Sequence, residues 1–198
     1  MLAVLETAGW PAADAEAKAA FAAQLEALRA AGIALIDRRG STRVERLEQA
    51  LAEAAEVSRR INDWEKLWPF AELDDRAGAG LSPGLRKDIA AGRAMMPDEY
   101  HSLLQRRDAM RDRLLTLAGE VDGCITLASL GVAPLGIEST GDAVFNLPAS
   151  ALRTPAISLP LMSVGRLPLG LQIIGFPQRD RELSAIAGFL LEHGALAH

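Results

Sequence analysis

The chain has 198 residues, of which 49% are hydrophobic and 24% charged, with a formal net charge of -5. That balance describes a globular protein able to bury one large core, and an acidic chain without a basic stripe is a poor direct partner for nucleic acid. Charge or proline interrupts every apolar run, so no membrane span is expected.

Met1 leads straight into Leu2–Leu5 with no basic segment, which argues against a secretory signal. Cys124 is the single cysteine, a count that suits the reducing cytoplasm and excludes an internal disulfide. His101, His193 and His198 are too scattered to form a zinc set, and no metal or cofactor is expected.

In chain order, Leu2–Leu5 reads as a short strand broken by Gly9, Trp10 and Pro11. Asp14 then caps a helix marked by Phe21, Leu25 and Leu28, with Gly32 as its stop. Ile33–Asp37 reads as a second strand, so the first forty residues form a βαβ unit with a parallel strand pair. Thr42 and Glu45 read as a capping box that opens a helix running to about Trp64, with Val44, Leu47, Leu51, Ala54 and Ile61 on one face.

Lys66–Gly80, punctuated by Pro69, Gly78 and Gly80, reads as a loop. Ser82-Pro83 opens a short helix, and Pro97 opens a longer one carrying Leu103, Met110, Leu114 and Leu117. The charges of that longer helix, Arg106 to Arg113, read as a solvated face laced with i,i+4 pairs. Trp64, Trp68 and Phe70 read as packing residues before they read as the mouth of a site.

Cys124–Leu127 reads as a buried strand, with Cys124 as a small hydrophobe. Gly131–Leu152 is turn-rich, and Ala156–Leu159 and Leu169–Ile174 are strands that a turn at Ser163–Arg166 would pair as a hairpin. Asp180 caps a last helix lined by Leu183, Ile186, Ala187, Leu190 and Leu191 and closed by His193 and Gly194. The expected fold is α/β: one domain over 1–198, a mixed sheet flanked by helices, with a helical excursion over about 41–120.

Ser139-Thr140-Gly141-Asp142-Ala143-Val144-Phe145-Asn146 resembles the T-G-D-x-x-F-N element of the amidase-signature family. Thr154-Pro155-Ala156-Ile157-Ser158-Leu159-Pro160 resembles the family's P-A-I-S-x-P strand, and Gly165–Gly175 its G-L-P-x-G-L-Q-I-I-G strand. Arg179–Leu183 is similar to the start of its final helix. The order and spacing of these elements make the set specific, and weaker similarity runs back through Asp122–Thr126, Leu81–Leu117 and Trp10–Asp37.

The resemblance implies the carboxy-terminal half of an amide hydrolase related to glutamyl-tRNA amidotransferase A subunits. It also implies a small-molecule amide substrate in the full-length enzyme. The family's nucleophilic serine, second serine and lysine lie in a Gly/Ser-rich stretch and an upstream lysine context. Neither matches anything here, where the lysines are only Lys18, Lys66 and Lys87. No catalytic residue is therefore carried over. Two departures fall near the implied pocket. Ser150-Ala151-Leu152-Arg153 stands where many members have Asn-Leu-Ala-Gly, and Ala128-Ser129 stands where a proline is common.

The implied substrate-side residues are Asp142, Thr126, Ser129 and Phe145. Asp142 has two readings: a carboxylate that accepts an amide or ammonium hydrogen bond, or a cap for a helix around Ala143–Ala149. Thr126 and Ser129 follow a strand end where α/β sheets place ligands, although loop hydroxyls more often serve the backbone. Phe145 reads as filler at a sheet–helix seam, and Gln172 as a buried amide in need of partners. Gly170 and Gly175 suggest close backbone approach. A half-enzyme also leaves apolar faces uncovered, so homo-oligomerisation is expected. The alternative function is a non-catalytic binding or scaffolding protein that reuses the fold.

Overall fold

The chain's computed structural model describes residues 1–77 and 80–193. Five strands make one mixed sheet: β1 (Leu2–Val4), β2 (Leu35–Ile36), β3 (Gly123–Leu127), β4 (Ala156–Val164) and β5 (Leu167–Ile174), in the order β2-β1-β3-β5-β4. The first helix, α1 (Ala15–Ala30), joins β1 to β2, which pair in parallel with Leu2 opposite Leu35. β1 also lies parallel to β3, whereas β5 runs antiparallel to both β3 and β4. The strands expected at both ends of the chain thus share one sheet.

Local hydrogen bonding sets the strand limits. β2 is shorter than Ile33–Asp37 because Gly32, at φ 81°, reverses the chain and Ile33 gives its amide to the Leu28 carbonyl. Past β1, the amides of Glu6 and Thr7 leave the sheet for the Glu48 carboxylate, at 2.6 and 2.8 Å. Pro160 cannot donate to a ladder, and the register of β4 against β5 shifts between Leu159 and Met162.

The middle is helical: α2 (Thr42–Leu51), α3 (Ala54–Glu65), α4 (Leu67–Ala77), α5 (Pro83–Ala94) and α6 (Pro97–Leu115). Several expectations change here. The cap of α2 is Ser41, whose hydroxyl accepts the Val44 amide, while Glu45 pairs with Arg38 instead of closing a capping box. The helix expected to reach Trp64 is two helices, with tight turns at Ala52 and Glu53, and both halves keep their apolar faces buried.

Lys66–Gly80 is not a loop but mostly α4, because Pro69 falls in its first turn, where no backbone donor is needed. Gly78 lies outside the described residues. On α6, Arg106 pairs with Glu53 at 2.5 Å across the helix packing instead of with an i,i+4 partner. Trp64 stacks on Tyr100, but Trp68 is 94% exposed and so is not a packing residue.

Asp14 stands at the N-cap of α1 without a side-chain cap bond; its carboxylate lies against Gly131, where a Cβ would overlap it. The turn-rich stretch before β4 contains a short helix, α7 (Leu147–Leu152). The last helix, α8 (Asp180–His193), buries Leu183, Ala187 and Leu190 as expected, but Leu191 is exposed and not part of the buried stripe; Gly194 and His198 lie outside the described residues.

Apolar clusters cover both faces of the sheet. One joins Ala3, Leu5, Cys124 and Ile174 to Val44, Leu47 and Leu114 of the helical middle. The other joins Ile125, Leu171 and Ile173 to Phe21 and Leu28 of α1 and Leu183 and Leu190 of α8. Burial pushes the Cys124 thiol up to about 12, as suits a small apolar filler. No described helix is long and apolar enough to cross a membrane. Among the described residues no three His, Cys, Asp or Glu side chains are grouped to hold a metal ion.

Candidate functional site

Strand register builds a polar row across the sheet. Thr126 of β3 stands opposite Gln172 of β5, and Gln172 stands opposite Ser158 of β4. Directly paired residues share a face, so these three side chains point to the side that carries α7. Thr126 is fully buried, and its hydroxyl has no hydrogen-bond partner among the described residues. Gln172 is also buried, and its side-chain amide donates to the Phe145 carbonyl at 2.7 Å. Ser158 is exposed. The row therefore runs from the core to an open surface.

At its open end lies a groove of about 490 Å³ between α7 and the β4–β5 hairpin. Its polar lining is Asn146, Ser150, Arg153, Thr154, Ser158 and Gln172. Gly170 lets the strands close up beside it, because a Cβ there would lie 2.2 Å from the Ser158 hydroxyl and 2.8 Å from the Ala128 methyl. Gly175 likewise faces the Leu183 side chain at 3.2 Å. The Thr154 hydroxyl donates to the Gly175 carbonyl. Arg153 ends α7 in the left-handed region, at φ 53° and ψ 51°.

The expected substrate-side residues do not all meet at this groove. Thr126 and Phe145 converge on Gln172. Ser129 donates its hydroxyl to the Gly131 carbonyl at 2.6 Å and so ties its own loop. Asp142 is exposed and accepts the Val144 amide at 2.8 Å. That is an Asx turn, and α7 begins only at Leu147, so Asp142 is not the cap of a helix over Ala143–Ala149. Arg153, Ser150 and Ser158 were absent from the sequence-derived set. Their signals were the change from Asn-Leu-Ala-Gly and the serine of the P-A-I-S strand.

Several hydroxyls and amines elsewhere serve structure. Ser41, Ser82 and Ser139 accept backbone amides, and Ser184 donates to a backbone carbonyl. Lys66 pairs with Asp88, and Lys18 reaches the Pro11 carbonyl beside the Trp10 ring.

No protein-family model matches the chain, and no curated protein matches it by sequence. Solved structures do. A crystal structure of an amidase matches with a TM-score of 0.81 and 24% identity, over 96% of this chain and 45% of that one. A 6-aminohexanoate cyclic dimer hydrolase in complex with its substrate matches with a TM-score of 0.70 and 17% identity, over 97% and 45%. A bacterial aryl acylamidase of the amidase-signature family matches with a TM-score of 0.67 and 14% identity, over 94% and 41%. The chain thus spans less than half the length of each of these three structures. Its mixed five-stranded sheet with flanking helices has the fold of part of an amidase-signature enzyme.

Proposed function

We propose that this chain forms the substrate-side wall of an enzyme that hydrolyses amide C–N bonds, and that the serine and lysine chemistry comes from other polypeptide. One observation carries the reading. Nearly the whole chain superposes on part of an amidase, and its polar row opens into a groove whose lining includes Asn146, Thr154, Ala156 and Ser158, residues of the two segments that resemble the family's motifs. Amide hydrolysis needs an activated nucleophile and donors aimed at the developing oxyanion. Ser41, Ser82, Ser129, Ser139 and Ser184 are committed to backbone groups, Lys66 to Asp88 and Lys18 to the Pro11 carbonyl. What the groove offers is binding: the Asn146 amide, serine hydroxyls and a guanidinium. In this reading Thr126, Ser129, Asp142 and Phe145 shape the wall and its loops, and the substrate is a small-molecule amide.

The test is hydrolysis of simple amides by the pure chain, alone and with an amino-terminal amidase half supplied in trans. Turnover is expected only in the complemented sample. Turnover by the pure chain alone would overturn the assignment.

A further inference from the structure

We propose that Arg153 makes the groove between α7 and the β4–β5 hairpin select amides that also carry a carboxylate. The proposal rests on the amide-hydrolase reading of the same groove and adds its substrate class.

Three observations converge on this residue. First, among the described residues Arg153 is the one formally charged residue lining the groove, and its polar neighbours there are neutral amides and hydroxyls. Second, its guanidinium makes no side-chain hydrogen bond among the described residues. Its nearest carboxylate is Asp108, at 4.0 Å, and both side chains are solvent-exposed. By contrast, Arg38 grips Glu45 with two bonds of 2.5 and 2.9 Å, and Arg93 reaches Asp75 at 2.6 Å. A guanidinium has five donors in a planar fork that matches a carboxylate, so Arg153 stands with its binding capacity unspent. Third, it occupies a left-handed position at φ 53°, which glycine would take without strain. A strained non-glycine residue at the rim of a groove points to function.

The rival role is a cation at the C-terminus of α7. With six residues, that helix has little dipole to offer. The groove's volume, about 490 Å³, lies within the usual range for small-molecule sites. A small amide acid can place its carboxylate on Arg153 and its amide among Asn146, Ser150 and Ser158.

The experiment titrates the isotope-labelled chain with succinamate, a monoamide carrying one carboxylate, and with neutral succinamide, reading backbone amide shifts at Ser150, Arg153, Thr154 and Ser158. Succinamate is expected to bind roughly tenfold more tightly, the worth of one charge-assisted bond. Arg153→Gln should erase that preference while leaving weak binding of both amides. Arg153→Gly should do the same without backbone strain, which guards against a folding artefact. Equal affinity for both probes, or a preference that survives in both variants, overturns the carboxylate assignment and leaves the amide reading standing. Shifts from neither probe overturn both.

Discussion

The Gln172 side chain donates to the Phe145 carbonyl at 2.7 Å across 27 residues of sequence, and both residues are buried. This bond fixes the segment before α7 against the centre of the sheet. Gln172→Leu keeps the volume but leaves the carbonyl buried and unpaired. We expect the variant to lose about 1–3 kcal/mol of unfolding free energy in urea melts, with weaker amide-exchange protection over Val144–Ala149. A loss below roughly 0.5 kcal/mol, the scale of an ordinary surface change, would mean that water satisfies the carbonyl equally well.

Much of this arrangement was legible in the sequence, because local rules and packing agree there. Phe21, Leu25 and Leu28 followed by Gly32 specify α1 and its stop, and the two apolar runs beside a Gly165-Arg166 turn specify the β4–β5 hairpin. α4 was hidden because Pro69 looks like a breaker unless the helix start is known. α7 was hidden because six residues, one of them Pro148, are too few to show a period. The need of Gln172 for a partner was readable; the partner was not, since a pairing over 27 residues exists only after folding. The left-handed turn at Arg153 carries no signal of its own, because the residue there is not glycine.

Glu48 was equally invisible: it sits on an amphipathic helix yet is only 6% exposed, with its oxygens on the Glu6 and Thr7 amides. Burial pushes its carboxyl above the usual 4.5, outweighing the two amide bonds and Arg38, which favour the ionised form. The folded state therefore holds this proton more tightly than the unfolded chain does. The resulting stability is complete below pH 4.5 and is lost as pH rises through the raised value. Glu48→Gln removes the titration and can accept only one of the two amides, at a cost of about 1 kcal/mol. The stability advantage of the wild type over Glu48→Gln should accordingly shrink as pH rises above 4.5 and through the raised value. Urea melts across that range check it, and a pH-independent difference would show that the proton is not held.

Arg153 predicts a stability change opposite in sign to most substitutions. A non-glycine residue in the left-handed region costs roughly 1–2 kcal/mol, and the exposed contact with Asp108 at 4.0 Å returns little of it. Arg153→Gly should therefore raise the unfolding free energy by about 1 kcal/mol, whereas Arg153→Ala, which removes the charge but keeps the φ of 53°, should not. Thermal melts of the two variants separate the backbone from the guanidinium. A Gly variant less stable than the Ala variant would mean that the turn is not strained.

The uncovered surface predicts association of the chain with itself. Leu135 and Ile137 stand almost wholly in solvent, at 105% and 95% exposure, on the loop between β3 and α7. β4, at the end of the strand order, is nine residues long and offers a free edge. Its outer half is broken by Pro160 and the register shift, so the straight edge is Ala156–Leu159, close to the groove. Exposed apolar side chains and an open edge both favour self-pairing. Light scattering behind size exclusion should show the mean mass rising with concentration. Burying one Leu or Ile side chain is worth about 1.5–3 kcal/mol. Replacing both Leu135 and Ile137 by Asp should therefore weaken association by at least about tenfold. Ala156→Lys tests the edge separately, because a lysine there blocks strand addition without touching the loop. A monomeric mass at every concentration in the unsubstituted chain would refute the idea that these surfaces are built to be covered.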